Sequence, residues 1–207
     1  MITEEFKNEI DQIIYFSRLG YDRHLVTAAG GNVSMRCSKG ILITASGVSL
    51  RAVTPEDILL ADYDGTILEN PRGLRPSKET SLHLSIFKAR PGIKAVYHVH
   101  PPYAVAYTVA GEDFPRVTSS AKNKLSKLVA LPPMKSGSKE LAEAVRNAVL
   151  GTDESMKLIL LSLHGIISFD TSLEEAFNTA ELMEDCARIA YMSEHLVSAR
   201  RRMVISE

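Results

Sequence analysis

Two histidines separated by one valine, His98 and His100, stand in the run AVYHVHPP near the middle of the chain. In a β-strand, residues i and i+2 point to the same side, about 7 Å apart at a rise of roughly 3.3 Å per residue. Two imidazoles so placed can converge on one divalent cation. Imidazole suits Zn²⁺, and a catalytic zinc takes three protein ligands and keeps one position open. By itself the pattern is weak, and two histidines on a polar sheet face are the simpler reading of it. His164 ends the apolar run KLILLSL and precedes Gly165. At a strand terminus it either closes a core strand through a hydrogen bond or adds a third ligand. His83 follows Glu79 by four residues, a spacing that puts both on one helix face. His24, in a loop, and His195, near the end of the last helix, are expected to face solvent.

The segment RGLRPSKET (72–80) places a carboxylate at an expected helix start. With Ser77 as N-cap, Lys78 and Glu79 fall in the first turn. Unpaired N–H groups and the positive end of the helix dipole favour anions there. Ser77 and Glu79 therefore read either as ordinary capping residues or as parts of a site. In the second case Ser77 and its neighbours hold a phosphate, Lys78 adds charge, and Glu79 faces a metal. Two glycine turns could join them: AAGGNVS, with Asn32, and TASGVS, with Ser46 and Gly47. Such turns can wrap an anion with backbone N–H groups, but they are also common strand connections. Neither matches the P-loop or the dinucleotide fingerprint.

The elements that must position these residues follow from periodicity. Residues 3–19 set Phe6, Ile10, Ile13, Ile14 and Ser17 on one helical face, and the glycine-rich stretch 20–32 reads as a loop. NVSMR and ILITA read as two strands around the turn CSKG. A helical turn at Thr54–Asp57, a strand over 58–62 and a turn at Asp64-Gly65 come next. The helix opened by Ser77 stops at Pro91-Gly92, KAVYHVH is a strand, and PPYAVAYTVAG restarts as a helix with proline in its first turn. SKELAEAVRNAVL is a capped helix, KLILLSLHG and GIISFD pair as strands, and a long helix from Ser172 runs to Leu196, before the basic triplet 200–202. Helices mixed with hairpin-like strand pairs point to a layered α/β domain and not to a parallel nucleotide-binding sheet.

With 207 residues, no repeat and no linker, one domain spanning 1–207 is expected, and a chain of this length buries a core without staples. A net charge of −1 argues against nucleic acid as a main partner. Cys37 and Cys186 stand apart, outside any CxxC pair, which suits a reducing compartment. MITEEFKNEI is acidic and amphipathic and unlike a signal peptide, and no apolar run reaches the length of a membrane span. A cytoplasmic protein with no membrane partner is the expectation.

Taken in order, GGNVSMR (30–36), ITASGVS (43–49), RPSKETSLH (75–83), ARPGIKAVYHVHPPYAVA (89–106), SGSKELAEAV (136–145) and LSLHGIISF (161–169) resemble the class II aldolase/adducin family over nearly the whole chain. The resemblance implies a three-layer α/β/α sandwich around a mostly antiparallel sheet. It implies Zn²⁺, one per subunit, on His98, His100 and His164. Glu79 matches the acidic residue that can ligate the metal when the site is empty of substrate and that acts as acid/base in turnover. Gly31, Asn32, Ser46, Gly47, Ser77 and Lys78 match positions that hold the substrate phosphate and its neighbouring carbon. The implied activity is cleavage of a ketose 1-phosphate, of the L-fuculose 1-phosphate kind, to dihydroxyacetone phosphate and an aldehyde through a metal-stabilised enediolate. A homotetramer with active sites near subunit boundaries is implied as well.

Two departures concern the substrate. Fuculose phosphate aldolase-like members carry a second serine where Lys78 stands, and a tyrosine where FPRVTSSA offers only Thr118, Ser119 and Ser120. The family also holds phosphopentulose epimerases, a methylthioribulose-phosphate dehydratase, sugar-acid phosphate decarboxylases and the non-catalytic adducin head. Epimerases usually carry aspartate at the position of Glu79, decarboxylases resemble this chain at PSKE, and adducin-like modules lose the histidines that all stand here.

Overall fold

The computed structural model describes residues 2–205, with side chains described as far as Val197. One eight-stranded sheet organises it: β1 (Asn32–Cys37), β2 (Gly40–Thr44), β3 (Ile58–Ala61), β4 (Ile67–Glu69), β5 (Ala95–Val99), β6 (Val129–Leu131), β7 (Leu158–Leu161) and β8 (Gly165–Asp170). The spatial order is β4-β3-β2-β1-β5-β8-β7-β6, antiparallel throughout except for β6 beside β7. Helices α1 (Ile2–Glu5), α2 (Lys7–Asp22), α3 (Thr80–Ala89), α4 (Pro102–Ala110), α5 (Ser119–Lys124), α6 (Lys139–Leu150) and α7 (Leu173–Ile205) lie on its two faces.

Strand alternation divides the core. Val33, Met35, Tyr97 and Val99 turn toward α2, α4, α5 and α7, where Ile10, Ile13 and Phe177 meet them. Ile43, Val96, Ile167 and Phe169 turn to the other face and pack on α3 and α6 through Leu82, Phe87, Leu141 and Val145. The result is the three-layer α/β/α architecture with a mostly antiparallel sheet. His98 shares parity with Val96, so β5 presents it to the α3 side. Among the described residues no helix is long and apolar enough to cross a membrane.

Several elements differ from their sequence expectation. Helix α2 runs through Asp22 into the stretch expected to be loop. Gly20 permits this, since a Cβ there would lie 1.8 Å from the hydroxyl of buried Tyr97. The short elements β4, α5 and β6 were not expected. Helix α7 continues to Ile205, so the triplet 200–202 is helical, while its side chains lie outside the described residues.

Helix α3 starts at Thr80 and not beside Ser77. The Ser77 carbonyl instead accepts from the Thr80 N–H and hydroxyl, and its Oγ accepts from the Glu79 N–H, closing a turn ahead of the helix. Glu79 occupies the N-cap position without capping, because its carboxylate is engaged elsewhere.

Candidate active site

The β1–β5 register sets Asn32 directly opposite His98, and β8 sets Ile167 on its other side. His98 is fully buried. Its Nδ1–H donates to the Ile166 carbonyl at 2.8 Å, which turns Nε2 toward the site. His100 lies one residue past β5, where its N–H donates to the Leu25 carbonyl. His164 sits in the turn between β7 and β8, just past the strand end expected for it. The preceding Leu163 takes φ +60°, which costs a non-glycine residue about 1–2 kcal/mol, and its N–H is held by the Thr108 hydroxyl.

These turns bring the three imidazoles together. Their ligand nitrogens all lie within 4.8 Å of one another, and Nε2 of His98 is 3.0 Å from Nε2 of His100. Tetrahedral zinc with bonds of about 2.0–2.1 Å separates its ligand nitrogens by roughly 3.3 Å. The cluster therefore fits a divalent cation with little movement. The His98–Ile166 bond is also the outer contact that orients a metal-binding histidine. Burial, and then the neighbouring His98, push His100 down to about 3 and His164 below its ordinary value, so both are neutral near pH 7 and able to bind a cation.

Glu79 closes the cluster, with Oε2 3.0 Å from His98 Nε2 and Oε1 3.3 Å from His164 Nε2. Burial alone would raise its pKa, but the adjoining His98 and the Asn32 donor outweigh that and hold it below the usual carboxylate range. Asn32 Nδ2 donates to Oε2 at 2.9 Å and the Ser136 hydroxyl donates to Oε1 at 2.9 Å. An ionised carboxylate beside three imidazoles is equipped to help hold a cation or to move a proton next to one.

Asn32 is thus brought to Glu79, its side-chain amide shared between the carboxylate and His83. Gly31, at φ +75°, packs so closely that a Cβ would come within 2.8 Å of the His98 carbonyl. Ser46 N–H donates to the Arg75 carbonyl, which ties the Ser46-Gly47 turn to the segment leading into Ser77. Gly47 and Lys78 are exposed and Ser77 is buried. His24 and His195 are exposed and outside the cluster, and Lys122, Lys124 and Lys127 are exposed too. Thr118 is spent as the cap of α5.

Sequence reasoning passed over Ser136 and underrated His83, which is fully buried beside Asn32. For His83 the four-residue spacing from Glu79 was a usable signal. For Ser136 no local signal existed, since its loop reaches Glu79 from 57 residues away. A cavity of about 670 Å³ lies between α4 and α7, lined by Tyr107, Tyr191 and His195 and not by the three clustered histidines. A second of about 530 Å³ opens on His100 and His164 with Val105 and Val109 as apolar wall, and it is the one that meets the chemistry.

The model of the Class II Aldolase and Adducin N-terminal domain family matches residues 11–191. An L-fuculose phosphate aldolase of Methanococcus maripaludis is 34% identical over 91% of this chain and 99% of its own length. A 3-oxo-tetronate 4-phosphate decarboxylase of Haemophilus influenzae is 28% identical over 86% of this chain and 85% of its own. Among solved structures, the L-fuculose-1-phosphate aldolase of Thermus thermophilus superposes with a TM-score of 0.80 at 26% identity, covering 91% of this chain and 95% of that one.

Proposed function

The chain belongs to the class II aldolase and adducin family, and we propose that it is a zinc-dependent lyase cleaving a ketose 1-phosphate to dihydroxyacetone phosphate and an aldehyde. The observation that carries this reading is the meeting of three imidazoles with one ionised carboxylate, Glu79, held within 3.0–3.3 Å of two of them. His98, His100 and His164 hold the cation, with Glu79 completing the set when no substrate is bound. A divalent ion there supplies Lewis-acid stabilisation of the negative charge that develops as the carbon–carbon bond breaks.

Glu79, released toward the substrate, moves the proton at the donor carbon of dihydroxyacetone phosphate. Asn32 and Ser136 keep the carboxylate aimed while it does so. Gly31, Asn32, Ser46, Gly47, Ser77 and Lys78 hold the phosphate and the adjoining carbon, so that one hydrogen only is offered to Glu79. A cytoplasmic homotetramer with sites near subunit boundaries completes the reading.

A decarboxylase acting on a 3-keto sugar-acid phosphate is the second reading, supported by the 3-oxo-tetronate 4-phosphate decarboxylase that matches 86% of this chain. The two part at their products. A panel of ketose 1-phosphates and 3-keto sugar-acid phosphates, assayed for dihydroxyacetone phosphate and for carbon dioxide, is expected to release the former. Carbon dioxide alone would establish the second reading in its place.

A further inference from the structure

Behind Glu79 lies a buried line of polar side chains reaching away from the histidine cluster. Asn32 Nδ2 donates to Glu79 Oε2, Asn32 Oδ1 meets His83 Nε2, and His83 Nδ1 lies 2.6 Å from the Ser34 hydroxyl. His83 and Ser34 are fully buried and Asn32 is 7% exposed, so water does not compete for these groups.

The direction of each bond follows from the Glu79 end. An ionised carboxylate only accepts, so Asn32 must turn its NH2 group to Glu79 and its carbonyl oxygen to His83. His83 Nε2 must then carry the proton, which leaves Nδ1 an acceptor for the Ser34 hydroxyl. An asparagine amide turned by half a revolution occupies nearly the same volume. The turned form would set its oxygen against the carboxylate, acceptor facing acceptor. Only the N–H of His83 selects between the two orientations from the far side.

We propose that His83 is a positioning residue, which locks the Asn32 amide in its donating orientation and thereby holds Glu79 in place for proton transfer. The role matters most when a cation engages His98 and His164, because Asn32 and Ser136 are then the donors left to Glu79. Ser34 satisfies the inner nitrogen of His83, so the ring stays neutral and in one tautomer inside the sheet–helix layer.

This inference rests on the reading of Glu79 as the proton-transfer group, and two measurements keep the two apart. Long-range ¹H–¹⁵N spectra of the zinc-loaded protein are expected to find His83 as the Nε2–H tautomer. The Nδ1–H tautomer would overturn the proposal whatever the reaction proves to be. The tautomer is read in the unsubstituted protein, so it decides the matter even where a change at this buried position unfolds the chain.

The second measurement is exchange of the donor-carbon hydrogen of dihydroxyacetone phosphate in His83→Leu and His83→Gln. Leucine fills space without donating, whereas the glutamine amide nitrogen stands where Nε2 stands. His83→Leu should lower kcat for exchange roughly 10–100-fold with little change in KM, and His83→Gln should recover most of it. Equal losses in the two variants, or a loss confined to KM, would refute a positioning role. An unsubstituted protein that exchanges nothing would overturn the reaction assigned to Glu79, leaving the tautomer to decide on His83.

Discussion

Glu79 Oε2 lies 3.0 Å from His98 Nε2. The Glu79 carboxylate thus stands on the same nitrogen that faces the two sister histidines, at the point where a cation would be shared. Ligand geometry and proton transfer are joined there, since a cation that takes up His98 Nε2 displaces Glu79 from its contact.

Purified protein should carry close to one divalent ion per chain. His98→Ala removes an imidazole oriented by the Ile166 carbonyl, and His164→Ala removes one from the β7–β8 turn. Either variant should lose the ion and the activity together, read by elemental analysis beside a turnover assay. Stoichiometric metal in either variant would speak against the three-histidine site.

Gly165 explains why glycine follows His164. A Cβ at this position would lie 2.4 Å from the Val99 carbonyl and 2.6 Å from Cδ2 of His100. Gly165→Ala should displace the His100 ring and weaken metal binding roughly 10–100-fold while the far-UV spectrum stays unchanged. Titration against a competing chelator measures this, and unchanged affinity would show that the contact yields without cost.

These contacts mark how far the sequence could be read. His98 and His100 were legible because strand alternation is local, and α6 was legible because Ser138 caps an amphipathic repeat. The three-residue strands β4 and β6 carry too little pattern to register. The need for glycine at position 20 inside α2 comes from Tyr97, 77 residues away in the chain, and Ser136 reaches Glu79 across 57. The start of α3 shifted because the Glu79 side chain is taken by groups from β1 and β5, which no local capping rule anticipates.

Burial, and then the neighbouring His98, lower His83 from 6.5 to about 3, with Glu79 opposing. Between those values the unfolded chain binds a proton that the folded chain does not. Stability should therefore fall as pH drops through this window, by about 1.4 kcal/mol per unit for this one group. His100 acts with the same sign. His83→Gln removes one titrating group, so denaturation midpoints followed from pH 6.5 toward 3 should decline less steeply in that variant. An unchanged slope would mean that His83 is not held neutral by burial.

Glu184 on α7 supplies what Pro101 and Pro102 cannot. Its buried carboxylate accepts from the N–H groups of Tyr103 at 3.0 Å and Ala104 at 2.9 Å, capping α4 just after His100. Glu184→Ala strands both donors and should cost about 1–3 kcal/mol in chemical denaturation. Glu184→Gln should restore part of that, since an amide oxygen still accepts. A loss under 0.5 kcal/mol, the size of an ordinary surface change, would show that the cap is dispensable.

The proton-transfer role of Glu79 is tested most directly by hydrogen exchange at the donor carbon of dihydroxyacetone phosphate in Glu79→Gln, with metal content measured on the same sample. The account predicts a folded protein that keeps its ion on His98, His100 and His164 and exchanges no hydrogen above background. A metal-loaded variant that exchanges as fast as the unsubstituted protein would contradict it.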